Sequence, residues 1–191
     1  MANKDAAFGL KPIGKVGQNR DAGGLSEYDI AASATAIYFN DPVKMKNDGT
    51  IEVAGAGGAI LGSLGGILFT DATTSKPTFA NHLNASNTAT DIVGFISDDP
   101  YQRFEIQTNN SGASAKTDIF NVADIEYTAG SSPDFVSKVE LNDSTLAQGS
   151  SATLQILSLS KDPDNSDVGS ANVNWVVRIN EHELDMNVNG V

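Results

Sequence analysis

Short runs in which apolar and polar residues alternate, each cut off by turn-forming residues, recur along this chain. A two-residue period puts alternate side chains on opposite faces of an extended strand, whereas a helix face needs apolar residues three and four apart. Over residues 42–46, Val43 and Met45 point one way and Lys44 and Lys46 the other. Asn47-Asp48-Gly49 then predicts a hairpin turn into a return strand over 50–53, with the Asp-Gly pair supplying positive φ angles. The same pattern predicts strands over 27–30, 36–39, 91–97, 103–108, 135–141, 153–159 and 174–179, with Phe104 and Ile106 facing the core.

The most apolar stretch, residues 54–69, is interrupted by six glycines and so reads as sheet and turns. Gly55-Ala56-Gly57-Gly58 forms a small-residue loop, and Gly62, Gly65 and Gly66 mark bulges or close backbone approach in a strand over 60–69. Between 114 and 126 the apolar spacing is mixed, and a short helix or helical turn follows Thr117-Asp118. Eight to ten short strands at this spacing define an all-β fold with minor helix, an antiparallel β-sandwich or barrel-like domain.

Residues 1–25 lack either period: Phe8, Leu10, Ile13 and Val16 stand singly among Gly9, Pro12, Gly14 and Gly17. They predict an extended N-terminal arm that, fully stretched, reaches on the order of 80 Å and drops Phe8, Leu10 and Ile13 into pockets of a neighbouring subunit. The β-rich region then runs from 26 to 184 and also accommodates two subdomains with a break near 110–130, leaving 185–191 as a C-terminal tail.

Twelve basic against twenty-four acidic residues give a net charge of −12, which opposes binding to a nucleic-acid backbone. The basic residues gather weakly at the start, as Lys4, Lys11, Lys15 and Arg20. Without cysteine, disulfides, thiolate metal sites and cysteine nucleophiles are excluded. No run approaches the roughly 18 apolar residues of a membrane span, and the N-terminus lacks a basic segment followed by a long apolar run.

Candidate chemistry is sparse. Adjacent residues of Glu181-His182-Glu183 point to opposite faces of a strand, which disfavours a shared metal. His82 sits in a polar loop with no nucleophile placed beside it. Asp162-Pro163-Asp164-Asn165-Ser166-Asp167 gathers hard oxygen ligands but lacks the twelve-residue calcium loop, and reads as a turn. No lysine follows the glycine loop at 55–58, and Ser150-Ser151 lacks nucleophile-elbow spacing. The expectation is a non-enzymatic protein without metal or cofactor.

The opening Met1-Ala2-Asn3-Lys4-Asp5-Ala6-Ala7-Phe8-Gly9-Leu10-Lys11-Pro12 resembles that of the small head proteins of tailed bacteriophages known as decoration or cement proteins. Glu27-Tyr28-Asp29-Ile30-Ala31, Thr35-Ala36-Ile37-Tyr38, Asp41-Pro42-Val43-Lys44, Ile60-Leu61-Gly62, Ala89-Thr90-Asp91-Ile92-Val93, Asp98-Asp99-Pro100 and Ile179-Asn180-Glu181-His182-Glu183-Leu184 are similar to later segments of such chains, in that order. The resemblance spans most of the chain and rests on the number and order of these stretches. It implies a protein made in the host cytoplasm that docks on the outer capsid surface of the virion and bridges capsomers. Its partners would be the major capsid protein and copies of itself, a homotrimer in preference to a dimer. Phe8, Leu10, Lys11, Pro12 and Ile13 are then the expected capsid or subunit contacts. The alternatives are another virion part, such as a tail or fibre component, and a calcium- or carbohydrate-binding β module.

Overall fold

The computed structural model describes residues 3–16, 24–149 and 151–185. The expected arm positions 1–2 and 17–23, and most of the expected tail, lie outside them. Described residues form thirteen strands and two single 3-10 turns, so the all-β expectation holds.

Six strands build a first sheet: β2 (Ser26–Ile30), β3 (Pro42–Met45), β4 (Ile51–Val53), β5 (Gly62–Thr70), β6 (Pro77–Ala80) and β7 (Ile92–Ser97). Their order is β3-β4-β2-β7-β5-β6, and β3 also pairs with β5, so five of the strands close into a small barrel with β6 outside the ring. All pairings are antiparallel except Ile30 against Ile51, where β2 meets β4. Alternation fills the barrel: Ile30, Val43, Ile51, Leu64, Ile67, Ile92 and Ile96 are buried together. At Gly62 a side chain would meet the Ser97 carbonyl oxygen at 2.2 Å, so closure of β5 onto β7 requires glycine. The register shift between Leu64 and Gly66 is the bulge the glycines foretell.

The 42–53 hairpin forms, with Met45 opposite Ile51. Only Gly49 has a positive φ, of +83°; Asp48 instead accepts hydrogen bonds from the Thr50 N–H (3.1 Å) and hydroxyl (2.6 Å). Lys46 N–H donates to the Thr50 carbonyl at 2.9 Å and Gly49 N–H to the Lys46 carbonyl at 3.0 Å, which makes a three-residue loop with glycine in the left-handed position.

The second sheet has the order β1-β8-β13-β12-β9, from β1 (Lys11–Lys15), β8 (Gln102–Gln107), β9 (Val122–Ala123), β12 (Leu154–Leu159) and β13 (Asn174–Ile179). A two-strand ribbon, β10 (Ile125–Glu126) and β11 (Glu140–Leu141), adds Ile125 and Leu141 to the same core. Trp175, Phe104, Ile106, Leu154, Ile156 and Val177 fill it, as their alternation requires. Leu10, Ala54 and Ile60 from the first third of the chain complete this second core.

The chain changes sheets between Ser97 and Gln102, upstream of the 110–130 window. Asp99 makes that turn, its carboxylate accepting the Tyr101 N–H at 2.8 Å and its carbonyl the Gln102 N–H at 2.8 Å. Within the 110–130 window Ile119, Ala123, Ile125 and Tyr127 pack with the second core, and Lys116–Asp118 is a 3-10 turn, while Gly130 lies against Tyr38. Two expected strands contract. Residues 36–39 make only isolated bridges, Ile37 to Leu83 and Phe39 to Val136, and residues 135–141 keep only β11. Positive φ at Asn40 (65°) and Phe135 (52°) ends each extended run.

Candidate interaction surfaces

Residues 3–16 do not hang free. Asn3 donates to the Asp167 (3.1 Å) and Ala171 (2.8 Å) carbonyls, and the Lys4 carbonyl accepts from Gln107 (3.0 Å) and Asn165 (2.7 Å). Asn40 donates to the Phe8 carbonyl at 3.1 Å and the Ser63 hydroxyl to the Leu10 carbonyl at 2.6 Å. Gly9 fits because it has φ +73° and a side chain there would strike the Asn40 carbonyl oxygen at 2.5 Å.

This corrects the expected role of Leu10. Its side chain is wholly buried in the chain's own second core and cannot reach into another subunit. The apolar gain available inside the chain captures it first. The other four remain at the surface: Phe8 is half-buried with the Lys11 ammonium 5.7 Å from its ring centre, Lys11 pairs with Glu105 at 3.3 Å, and Pro12 and Ile13 are exposed. Ile13 lies on β1, a sheet edge.

A second surface lies on the outer face of the six-stranded sheet. Leu68 stands opposite Phe79 across β5 and β6, and Phe95 opposite Gly66 across β5 and β7. The rings of Phe79 and Phe95 lie 5.8 Å apart. Gly65 and Gly66 form the floor: a side chain at Gly65 would meet Leu25 at 2.9 Å, and one at Gly66 would meet the Phe79 ring at 2.8 Å. Phe79 is nevertheless 69% exposed, Leu25 46% and Leu68 39%. Sequence reasoning missed this face because Pro77 hides β6 and because glycines in a strand do not announce which side chains will rest on them.

The free edge of β6 is blunted. Asp71 N–H donates to the Lys76 carbonyl, so the alternation of antiparallel pairs turns Thr78 and Ala80 toward β5 and Pro77 and Phe79 toward the open side. Proline has no N–H to offer. Recognition here falls to side chains and not to strand addition.

The residues weighed for chemistry are engaged structurally. His182 is buried with Nδ1 accepting the Leu184 N–H at 3.0 Å, and burial holds its pKa below the usual range. Glu183 accepts the Met45 N–H at 2.7 Å and so ties the segment after β13 to β3. His82 stacks on Phe135, centroids 3.9 Å apart. Asp162 accepts from Asp164 N–H (3.0 Å) within its turn and from the Asn174 side chain on β13 (3.1 Å). Among the described residues, no three His, Asp or Glu side chains are gathered so as to hold a metal ion.

Three partly or wholly buried carboxyls escaped the sequence reading. Asp41 caps the Tyr38 N–H at 2.8 Å, and burial pushes its pKa up to about 6. Burial, with neighbouring Asp5, Glu126 and Asp143, pushes Glu140 up to about 7; burial and then the Asp118 charge do the same to Asp143. Each lies in a turn or a two-residue strand, where no periodicity reports burial. Comparisons with models of known protein families, with curated proteins and with solved structures find no match.

Proposed function

We propose that the protein is an adhesive structural component that decorates the outer surface of an assembled icosahedral phage head and bridges neighbouring capsomers. The observation that carries the adhesive reading is the outward apolar face of Leu25, Leu68, Phe79 and Phe95. A cluster of large side chains left open on an otherwise acidic chain marks an interaction site. The ordered series of stretches resembling phage decoration proteins narrows the partner to the major capsid protein and further copies of this chain, with a homotrimer preferred. Many modest contacts on one scaffold add up through avidity, so no single copy needs high affinity. In this reading Phe8, Lys11, Pro12 and Ile13 contribute contacts at the surface, and Leu10 serves by anchoring the segment that carries them.

The test is binding to heads that lack decoration, measured by co-sedimentation. Replacing Leu68 and Phe79 by Ser should lower apparent affinity about tenfold or more, a step of ~1.4 kcal/mol or more, with the melting temperature preserved. Full occupancy by that variant, or failure of the intact protein to bind heads, overturns the proposal.

A further inference from the structure

The outer face of the five-stranded sheet carries a second, chemically different surface. Arg103 on β8 stands directly opposite Arg178 on β13, two like charges on neighbouring strands. Such a pair is unfavourable by itself. In this chain the cations are scarce; Lys4, Lys11, Lys15, Lys44 and Lys46 each meet a carboxylate at 2.5 to 3.3 Å, while Lys76, Lys116, Lys138 and Lys161 stand singly without one among the described residues. Among the described residues neither Arg103 nor Arg178 meets one, and the buried Nε of Arg103 has no hydrogen-bond partner.

Arg178 is held ready. Its Nε donates to Gln155 Oε1 at 2.8 Å, and Gln155 Nε2 donates in turn to the Phe120 carbonyl at 3.4 Å. That leaves the two terminal nitrogens of the Arg178 guanidinium as the free edge of the fork, the geometry that suits a carboxylate. Phe120 itself is 70% exposed with φ +76°, a left-handed conformation that an aromatic residue rarely adopts and that nothing inside the chain rewards with burial. On the other side, Arg178 lines a pocket of about 290 Å³ whose walls are Pro100, Tyr101, Ile179, Asn180, Leu184 and Asp185. Tyr101 is 65% exposed and Leu184 45%.

We propose that this face docks a polypeptide segment in which a carboxylate side chain is flanked by apolar residues. The carboxylate bridges Arg103 and Arg178, and the flanking side chains seat against Phe120 and in the Tyr101–Leu184 pocket. Charge complementarity selects the occupant: two guanidinium groups, neither meeting a carboxylate among the described residues, sit opposite one another on a chain of net charge −12. A nucleic-acid backbone is disfavoured by the remaining charge, and Asp185 at the pocket rim adds to that. The inference uses a different sheet from the apolar face described above and does not depend on the capsid reading.

The experiment is a titration of the full chain, labelled for observation of arginine Nε–H signals, with the peptide acetyl-Phe-Glu-Phe-amide. Its neutral counterpart acetyl-Phe-Gln-Phe-amide is the control. The expected result is movement of the Arg103 and Arg178 signals with the Glu peptide, at an affinity at least about fivefold above that of the Gln peptide and weakened by added salt. Arg103→Gln with Arg178→Gln should remove the Glu preference. Gln155→Leu, which alters no charge, should reduce it and serves if the double variant fails to fold. Equal binding of the two peptides, unmoved arginine signals, or movement of those signals by a single-stranded oligonucleotide but not by the Glu peptide would each overturn the proposal.

Discussion

Replacing Leu10 by Ala should destabilise the protein strongly, although the residue lies in a segment that reads from sequence as a free arm. Its side chain is completely buried among residues of the second core, including Ile60 and Phe104. Truncating a fully buried leucine removes its transfer free energy and leaves a cavity, for a loss of about 2–5 kcal/mol. At roughly 2–4 °C per kcal/mol for a chain of this size, the melting temperature should fall by ~4–20 °C. The internal comparison is Ile13→Ala on the same segment, where the side chain is 44% exposed and the expected change is within about 0.5 kcal/mol. Urea denaturation of the two variants, followed by Trp175 fluorescence, provides the assay, because the indole is buried in the same core as Leu10. Near-equal midpoints for Leu10→Ala and the unaltered chain would refute the placement of residues 3–16 and restore a free arm.

Gly9→Ala should lower stability by about 2 kcal/mol or more, since it sets a side chain against the Asn40 carbonyl in a left-handed backbone; thermal melting reads this out. Gly62→Ala should act as severely on the barrel through the Ser97 carbonyl, measured as lost amide protection in β5 and β7. The raised carboxyl of Asp143, at about 7 against 3.8 when unfolded, keeps its proton in the folded chain to a higher pH than in the unfolded one. Stability from this group is therefore present below about pH 4 and lost as pH rises toward 7. Asp143→Asn should gain relative to the unaltered chain across that window, checked by urea midpoints at pH 4.5 and 8; a pH-independent difference would contradict the assignment.

Legibility followed periodicity. Strands such as β7, β8, β12 and β13 were readable because burying one sheet face forces alternation, and Phe104 and Ile106 fell on the inner face as that rule demands. Turn chemistry located the 42–53 hairpin, but the division of positive φ between Asp48 and Gly49 depends on loop length, which the dipeptide alone does not encode. Leu10 was misjudged because a single apolar residue between Gly9 and Lys11 has no period, and its partners lie tens to more than a hundred residues away. The Arg103–Arg178 pair was invisible for the same reason: cross-strand register between β8 and β13 spans 75 positions (178 − 103 = 75). The outer face around Phe79 needed two glycines to become a floor, a role set by three-dimensional pairing alone.

The clamp joining Asn3 and Lys4 to residues 165–171 has a consequence for biosynthesis. Asn3 finds its acceptors 164 and 168 positions downstream. A nascent polypeptide emerging from the ribosome can close its first barrel early, since β2 through β7 are contiguous in the chain, but residues 3–4 must wait until residues 165–171 have been translated. Long-range closure of this kind slows folding. Docking of residues 3–4 should therefore be a late folding step that follows formation of the 165–171 segment.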